Sequence, residues 1–304
     1  MASTDSQATG AGARRPAGLK SLLDANRTPT IVTARIRAHL HEEALREDER
    51  ATDVLHPSEI CKDGWCPRAS YYKLVNPPER ESISFTQQLV FENGHSAHRR
   101  YQRWLGEGLG ALEGYWKCRR CRTRFYQAGL PTCPTCETHD CMYDELPLGD
   151  PARMIGGRTD GLLFEDRAIL EIKTVGEGTV RMASPLLLRA CTHEFDGRQV
   201  IDLKRVWDGI RRPFAAHVRQ ATLYTYCVRL HKEHRDIDKL VFLYEWKPTT
   251  SVKEFVVKYN ESTIRSILVH AEEIAVAVRG NGPIPPCRNG QDLCTDCMKL
   301  AVAG

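Results

Sequence analysis

Asp160, Glu171 and Lys173 are the residues whose type and spacing could do chemistry at a phosphate. Asp160 lies in Gly157-Arg158-Thr159-Asp160-Gly161, and eleven residues on comes Glu171-Ile172-Lys173. The stretches Gly157–Leu163 and Ala168–Thr174 both read as β-strands, with a polar turn at Glu165, Asp166 and Arg167 between them. Side chains in a strand alternate, so Glu171 and Lys173 share one face and Ile172 takes the other. In a hairpin Asp160 reaches the same end of the sheet, and two carboxylates and an ammonium converge. Carboxylates suit a hard divalent ion such as Mg²⁺ or Mn²⁺. Such an ion and a lysine together can orient a water and stabilise charge on a phosphate under attack.

Spacing alone is a weak signal, because the chain has a second such triple, Glu245-Trp246-Lys247. Only the first has an aspartate beside a glycine upstream and a polar helix downstream. The competing reading is a solvated hairpin face.

Cysteine supplies a second chemistry. The chain has twelve cysteines among 304 residues. Without a signal-peptide core at the N-terminus, a reducing compartment is expected, so paired spacings favour metal over disulfides. Cys118-x2-Cys121 and Cys133-x2-Cys136 form a pair of pairs that can close a tetrahedron around Zn²⁺. Arg122, Arg124 and Phe125 between them suit a small hairpin with a basic surface, a structural zinc ribbon over residues 115–143. Cys141 lies just outside and could substitute. Cys287, Cys294 and Cys297 are three thiols of a further set, with Cys66 and Cys61 as rivals for the fourth place. Residue types alone do not separate iron–sulfur from zinc there. Cys191 and Cys227 read as packing residues.

The elements that must position these groups follow from periodicity. Residues 1–30 are poor in apolar side chains and read as a disordered tail. Helices are expected over 31–50, from Pro57, from Pro67, over 83–105, over 213–231 and over 261–279. Strands are expected over 239–247 and 252–259, and residues 175–212 read as less regular. Helices alternating with a few strands point to α/β or α+β. Gln220 and Tyr224 are four apart and therefore share a helical face, with His217 alongside; an ordinary amphipathic helix explains this equally well. The formal charge of +4 allows a nucleic-acid partner without demanding one. No run of 18 apolar residues occurs, so no membrane span is expected.

Together these residues resemble the RecB-type branch of the PD-(D/E)xK nucleases. More narrowly they resemble the CRISPR-associated RecB-like exonucleases and their phage-encoded relatives that carry an iron–sulfur cluster. Gly94-x3-His98 resembles the family's upstream motif, Gly157–Gly161 its Asp motif (with Thr159 where the family name has Pro), and Glu171-Ile172-Lys173 its (D/E)xK motif. Gln220-x3-Tyr224 matches its Gln-x3-Tyr motif, and Cys66-Pro67-Arg68-x2-Tyr71-Tyr72 resembles its N-terminal cysteine segment better than the surroundings of Cys61 do. The C-terminal cysteines are spaced x6 then x2, where the usual order puts the short gap first.

The resemblance implies a restriction-endonuclease-like α/β core over 31–304, a mixed sheet flanked by helices, with the ribbon inserted and a helical region stapled by a cluster. It implies His98, Asp160, Glu171 and the carbonyl of Ile172 as ligands of Mg²⁺ or Mn²⁺. Lys173 would orient the water or assist its deprotonation, the latter with a pKa lowered by burial. Gln220 and Tyr224 would be DNA-positioning residues, with Arg219 at phosphate. Cys66, Cys287, Cys294 and Cys297 would hold a structural [4Fe–4S] cluster. The activity implied is a DNA exonuclease preferring single strands, acting on strands or ends in the cytoplasm of a bacterial or phage-infected cell. A recombination, replication or integration protein as partner and a homo-oligomer are both compatible with it. The rival readings are a non-catalytic nucleic-acid-binding module built on the ribbon, and a nuclease subunit inactive without its partner.

Overall fold

The structure is a computed structural model that describes residues 32–46, 51–78, 83–290 and 293–301. The tail expected over 1–30 therefore lies outside the described residues. Residues up to Asp48 form one unit and those from Glu49 another. In the first, helix α1 (Val32–Arg46) falls within the helical span expected over 31–50.

In the second unit, helices α2 (Pro57–Ile60) and α3 (Pro67–Val75) both start on proline. The missing N–H costs nothing there, because the first-turn donors have no partner inside the helix. Helix α4 (Phe85–Gln102) starts on a capping box, in which Ser84 accepts the N–H of Gln87 and Gln87 accepts that of Ser84. A π turn, Arg103–Gly108, continues it. Strands β1 (Leu112–Cys118), β2 (Arg124–Ala128), β3 (Cys141–Tyr143), β4 (Leu146–Asp150), β5 (Ile155–Thr159), β6 (Gly161–Leu163) and β7 (Ala168–Val175) follow. The irregular stretch resolves into short elements: α5 (Glu177–Ala183), α6 (Pro185–Ala190), β8 (Thr192–Phe195), β9 (Arg198–Ile201) and α7 (Leu203–Gly209). Then come α8 (Ala215–Arg229), β10 (Lys239–Trp246), β11 (Val252–Lys258), α9 (Arg265–Val278) and α10 (Thr295–Ala301).

The central sheet has the order β11-β10-β7-β6-β1-β2, with β3 also on β1. Only β7 and β10 run parallel, and the elements from α5 to α8 form the crossover that a parallel pair requires. The other pairings are antiparallel. The fold is thus mixed α/β, a mostly antiparallel sheet with flanking helices.

Strand β7 shows how the sheet positions charge. Ala168, Leu170 and Ile172 pack on one face with Leu112, Trp116 and Tyr143. On the opposite face Ile169 packs with Leu223, Tyr224 and Val228 of α8 and Ile274 of α9. Val175, on that same face, packs with Phe242 and Trp246. Between Ile169 and Val175 the same face carries Glu171 and Lys173. The charged pair therefore sits between two apolar clusters, where it must find partners or pay a large desolvation cost.

One expectation changes. The stretch Gly157–Leu163 is not one strand: β5 pairs with β4 in a separate two-stranded sheet, β6 pairs with β7, and Asp160 sits at the break. The Asp160 carboxylate accepts the N–H of Ile172 at 2.7 Å, using a β7 donor that a continuing ladder would need. Just before the break the chain is closely packed, because a Cβ on Gly157 would lie 3.1 Å from both Pro57 and the Tyr224 ring. The cysteine insertion is continuous with the central sheet. Strand β1 runs from the central sheet, where Leu112 faces Leu163, straight to Cys118 of the first Cys-x2-Cys turn.

Candidate functional site

Four elements converge on the break at Asp160. Helix α4 brings His98, whose Nδ1 lies 3.0 Å from an Asp160 oxygen. One turn further along, Gln102 donates through Nε2 to the Asp160 carbonyl at 2.9 Å and to Glu145 Oε1 at 3.1 Å. Glu145 precedes β4 at φ 29°, a left-handed backbone conformation that most side chains avoid. The ligand atoms of His98, Glu145 and Asp160 all lie within 4.8 Å of one another. On β7, Lys173 Nζ lies 2.5 Å from Glu171 Oε1. The other Glu171 oxygen, Oε2, is buried without a hydrogen-bond partner among the described residues.

The electrostatics follow from burial and proximity. Burial drives the Asp160 carboxyl up, but His98, Lys173 and the Ile172 N–H outweigh it and hold the pKa below the usual carboxylate range. Burial would lower His98, yet the Asp160 carboxylate beside it raises it on balance. Glu145 is raised by burial and by the Asp160 charge. Glu171 is pushed up to about 7, by burial first and by Asp160 as well, with Lys173 opposing. Lys173 corrects an expectation. Burial alone would lower its pKa, but Glu171 and Asp160 more than offset this and keep the ammonium charged.

An imidazole, two nearby carboxylates and a buried carboxylate oxygen with no hydrogen-bond partner are the donors that a Mg²⁺ or Mn²⁺ ion takes. The residues present fit such an ion. Sequence reasoning missed Glu145 and Gln102. A helical signal for Gln102 existed, because it lies four residues after His98 and so shares its face. Glu145 had none, since only the fold brings the end of the ribbon back to β5.

Gln220 and Tyr224 lie on α8 and are both buried, and the Tyr224 ring packs in the core beneath Gly157. Burial, with the Glu171 and Asp160 charges nearby, keeps the Tyr224 hydroxyl protonated. His217 is half-buried, and its Nδ1 lies 2.5 Å from the Tyr244 hydroxyl. That hydroxyl accepts the N–H of Phe214 at 2.9 Å, which leaves its proton for Nδ1 of a neutral imidazole. Burial, then the Lys173 charge, pushes His217 down to about 3. Arg219 is anchored elsewhere, to the Cys61 carbonyl at 2.9 Å and to Asp63 at 2.5 Å. The second Glu-x-Lys triple is structural: Glu245 accepts from Tyr101 at 2.5 Å and pairs with Arg100, tying α4 to β10.

All twelve cysteines are free. Cys118, Cys121, Cys133 and Cys136 form one group with mutual sulfur contacts of 3.4–3.6 Å, and the N–H of Cys121 points at Cys118 Sγ. Cys141 is outside it, its thiol directed at the Thr138 carbonyl. Cys66, Cys287, Cys294 and Cys297 form a second, fully buried group. Cys61 packs instead with Leu55, Ile60 and Tyr224. The N–H groups of Asn289 and Cys294 point at Cys287 Sγ and lower its pKa to about 6. Each of the two sets of four thiols could hold a metal such as zinc or an iron–sulfur cluster. In the second set the sulfurs stand 3.3–3.8 Å apart. A single tetrahedral ion with bonds of about 2.3 Å has edges of about 3.8 Å, so this spacing suits one ion. A four-iron cluster, with each thiolate on its own iron, would spread the set outward.

No family model matches the chain, and no curated protein matches it. Among solved structures, SSO0001 aligns at a TM-score of 0.40 and 13% identity, over 82% of this chain and 87% of that one. An alkaline exonuclease from Laribacter hongkongensis, LHK-Exo, aligns at 0.38 and 11%, over 75% and 89%. LHK-Exo in complex with dAMP aligns at 0.35 and 10%, over 75% and 89%. These are distant likenesses, and the functional reading stands on the geometry of the site.

Proposed function

We propose that the chain is a metal-dependent DNA nuclease of the PD-(D/E)xK type, an exonuclease preferring single strands. The observation that carries this reading is the convergence of His98, Asp160 and Glu145 beside the buried Glu171 and its ion pair with Lys173, two residues on along the same face of β7. His98, Asp160, Glu145, Glu171 and the Ile172 carbonyl would hold Mg²⁺ or Mn²⁺. When bound there, the ion supplies Lewis acidity toward the phosphodiester and makes water a better nucleophile at neutral pH. The chain's own residues do the positioning. The Ile172 N–H and Gln102 fix Asp160, and Gln102 also holds Glu145. Lys173 stays protonated between its carboxylates, so its role is to orient the attacking water and offset charge developing on phosphate, rather than to act as a free-amine base. Gln220 and Tyr224 line the floor behind the carboxylates and set how deeply the strand enters.

In the same reading residues 31–304 are the nuclease domain and residues 115–143 a ribbon on structural Zn²⁺. Cys66, Cys287, Cys294 and Cys297 join the two ends of the domain, around the [4Fe–4S] cluster that the RecB-like resemblance implies. The substrate is DNA as single strands or ends, in recombination, replication or spacer processing. No described helix is long and apolar enough to cross a membrane.

The test is degradation of end-labelled single-stranded DNA by anaerobically purified protein with Mn²⁺ or Mg²⁺, beside Lys173→Ala of unchanged melting temperature. Wild type is expected to release label, and the variant to lose about 10²–10³ in rate. Intact DNA binding with no cleavage by wild type overturns the free-standing nuclease.

A further inference from the structure

Beside the carboxylates, between α4 and the ribbon, lies a cleft of about 350 Å³. Its lining includes Arg99, Arg100, Arg103 and Arg119 against one acidic residue, Glu107. The arginines divide by what already holds them. Arg119, in the first Cys-x2-Cys turn, binds Glu107 at 2.9 Å and Asp140 at 2.9 Å, and so braces the ribbon against the π turn. Arg100 is committed to Glu245. Arg99 is exposed, with only a loose contact to Glu92 at 3.7 Å, and Arg103 is exposed with no ion pair among the described residues. Exposed pairs of this kind contribute little and exchange readily for a phosphate. Gln102 lines the same cleft, and its amide is the one that holds Asp160 and Glu145. The basic cleft and the acidic site thus share Gln102 as a common wall. Beyond it the ribbon turn continues the positive charge with exposed Arg120 and Arg122, which have no ion pair among the described residues.

We propose that this cleft binds the sugar–phosphate backbone of the DNA strand flanking the scissile phosphate, with the ribbon as one wall of a strand clamp. The inference deepens the nuclease reading and rests on it. Arg99 and Arg103 supply exchangeable phosphate contacts, and Arg119 is the positioning residue that keeps the ribbon in place. A fixed acidic centre repels a bare phosphate backbone, so a cationic track beside it is what lets a strand approach.

The experiment measures binding of fluorescent single-stranded DNA to the full chain, with Ca²⁺ replacing the catalytic ion, over a range of salt. Arg99→Ala/Arg103→Ala and Arg103→Glu are compared with Lys258→Ala, an exposed lysine on β11 that serves as the charge control. Both arginine variants are expected to bind at least about tenfold more weakly. The double variant should also lose roughly 0.7 of salt slope for each phosphate contact removed. The control should match wild type. Affinity and slope equal to the control in both arginine variants overturn the cleft. Cleavage of a mononucleotide p-nitrophenyl ester by wild type is read separately, so a failed nuclease and a failed clamp give different results.

Discussion

Asp160 has more hydrogen-bonding demands than any other residue of the site: one carboxylate oxygen takes the Ile172 N–H, the other faces His98, and its carbonyl takes Gln102. Glu145 reaches the same group from a backbone conformation that costs energy, and such strain persists where the surroundings over-determine it. Glu145→Gln keeps the shape and the contact with Gln102 while removing a charge. It is expected to weaken Mn²⁺ binding, measured calorimetrically, by about 10- to 100-fold. Unchanged affinity would remove Glu145 from the ligand set. Legibility at this scale was uneven. Asp160, Glu171 and Lys173 stand in short local motifs, whereas Glu145 is one acidic residue in Asp144-Glu145-Leu146 with nothing to mark it.

Helix α8 shows what an element adds. Its buried stretch carries Gln220 and Tyr224 behind the carboxylates and places His217 against Tyr244. His217 sits near 3 in the folded state against an ordinary value of 6.5, so the unfolded chain binds one more proton between those limits. Stability from the neutral ring is therefore fully present above pH 6.5 and is lost as pH falls toward 3, by about 1.4 kcal/mol per unit. His217→Gln keeps an acceptor for Tyr244 but cannot titrate. Urea unfolding at pH 7 and pH 5 should show a smaller acid loss in the variant than in wild type. Equal losses would mean that His217 is protonated in the native state. The shared face of this helix was readable at four-residue spacing, but its burial was not, because the same pattern fits a solvated amphipathic helix.

At the scale of the whole molecule, the second cysteine group joins positions 221 to 231 residues apart and draws α3 and α10 together. Closing so long a loop is entropically costly for the chain alone, and bound metal offsets that cost. Anaerobic protein is expected to contain iron and acid-labile sulfide with visible charge-transfer absorption, and one zinc at the ribbon. Cys66→Ser should lose the iron, keep the zinc and melt several degrees lower. Two zincs and no iron would replace the cluster with a single tetrahedral ion, the arrangement that the sulfur spacing fits as it stands, and would leave the staple intact.

The sequence by itself determined the local chemistry: two Cys-x2-Cys turns, an Asp followed by Glu-x-Lys, and helices marked by proline starts. Each is set by neighbours within a few residues, whose spacing fixes which side chains share a face. Only the tertiary structure decided the rest. It broke the strand at Asp160, joined the ribbon to the central sheet through β1, and brought Cys66 against the three C-terminal thiols. It also kept Lys173 charged although half-buried. Those outcomes depend on packing and Coulomb energies between residues distant in the chain, and no periodicity records them.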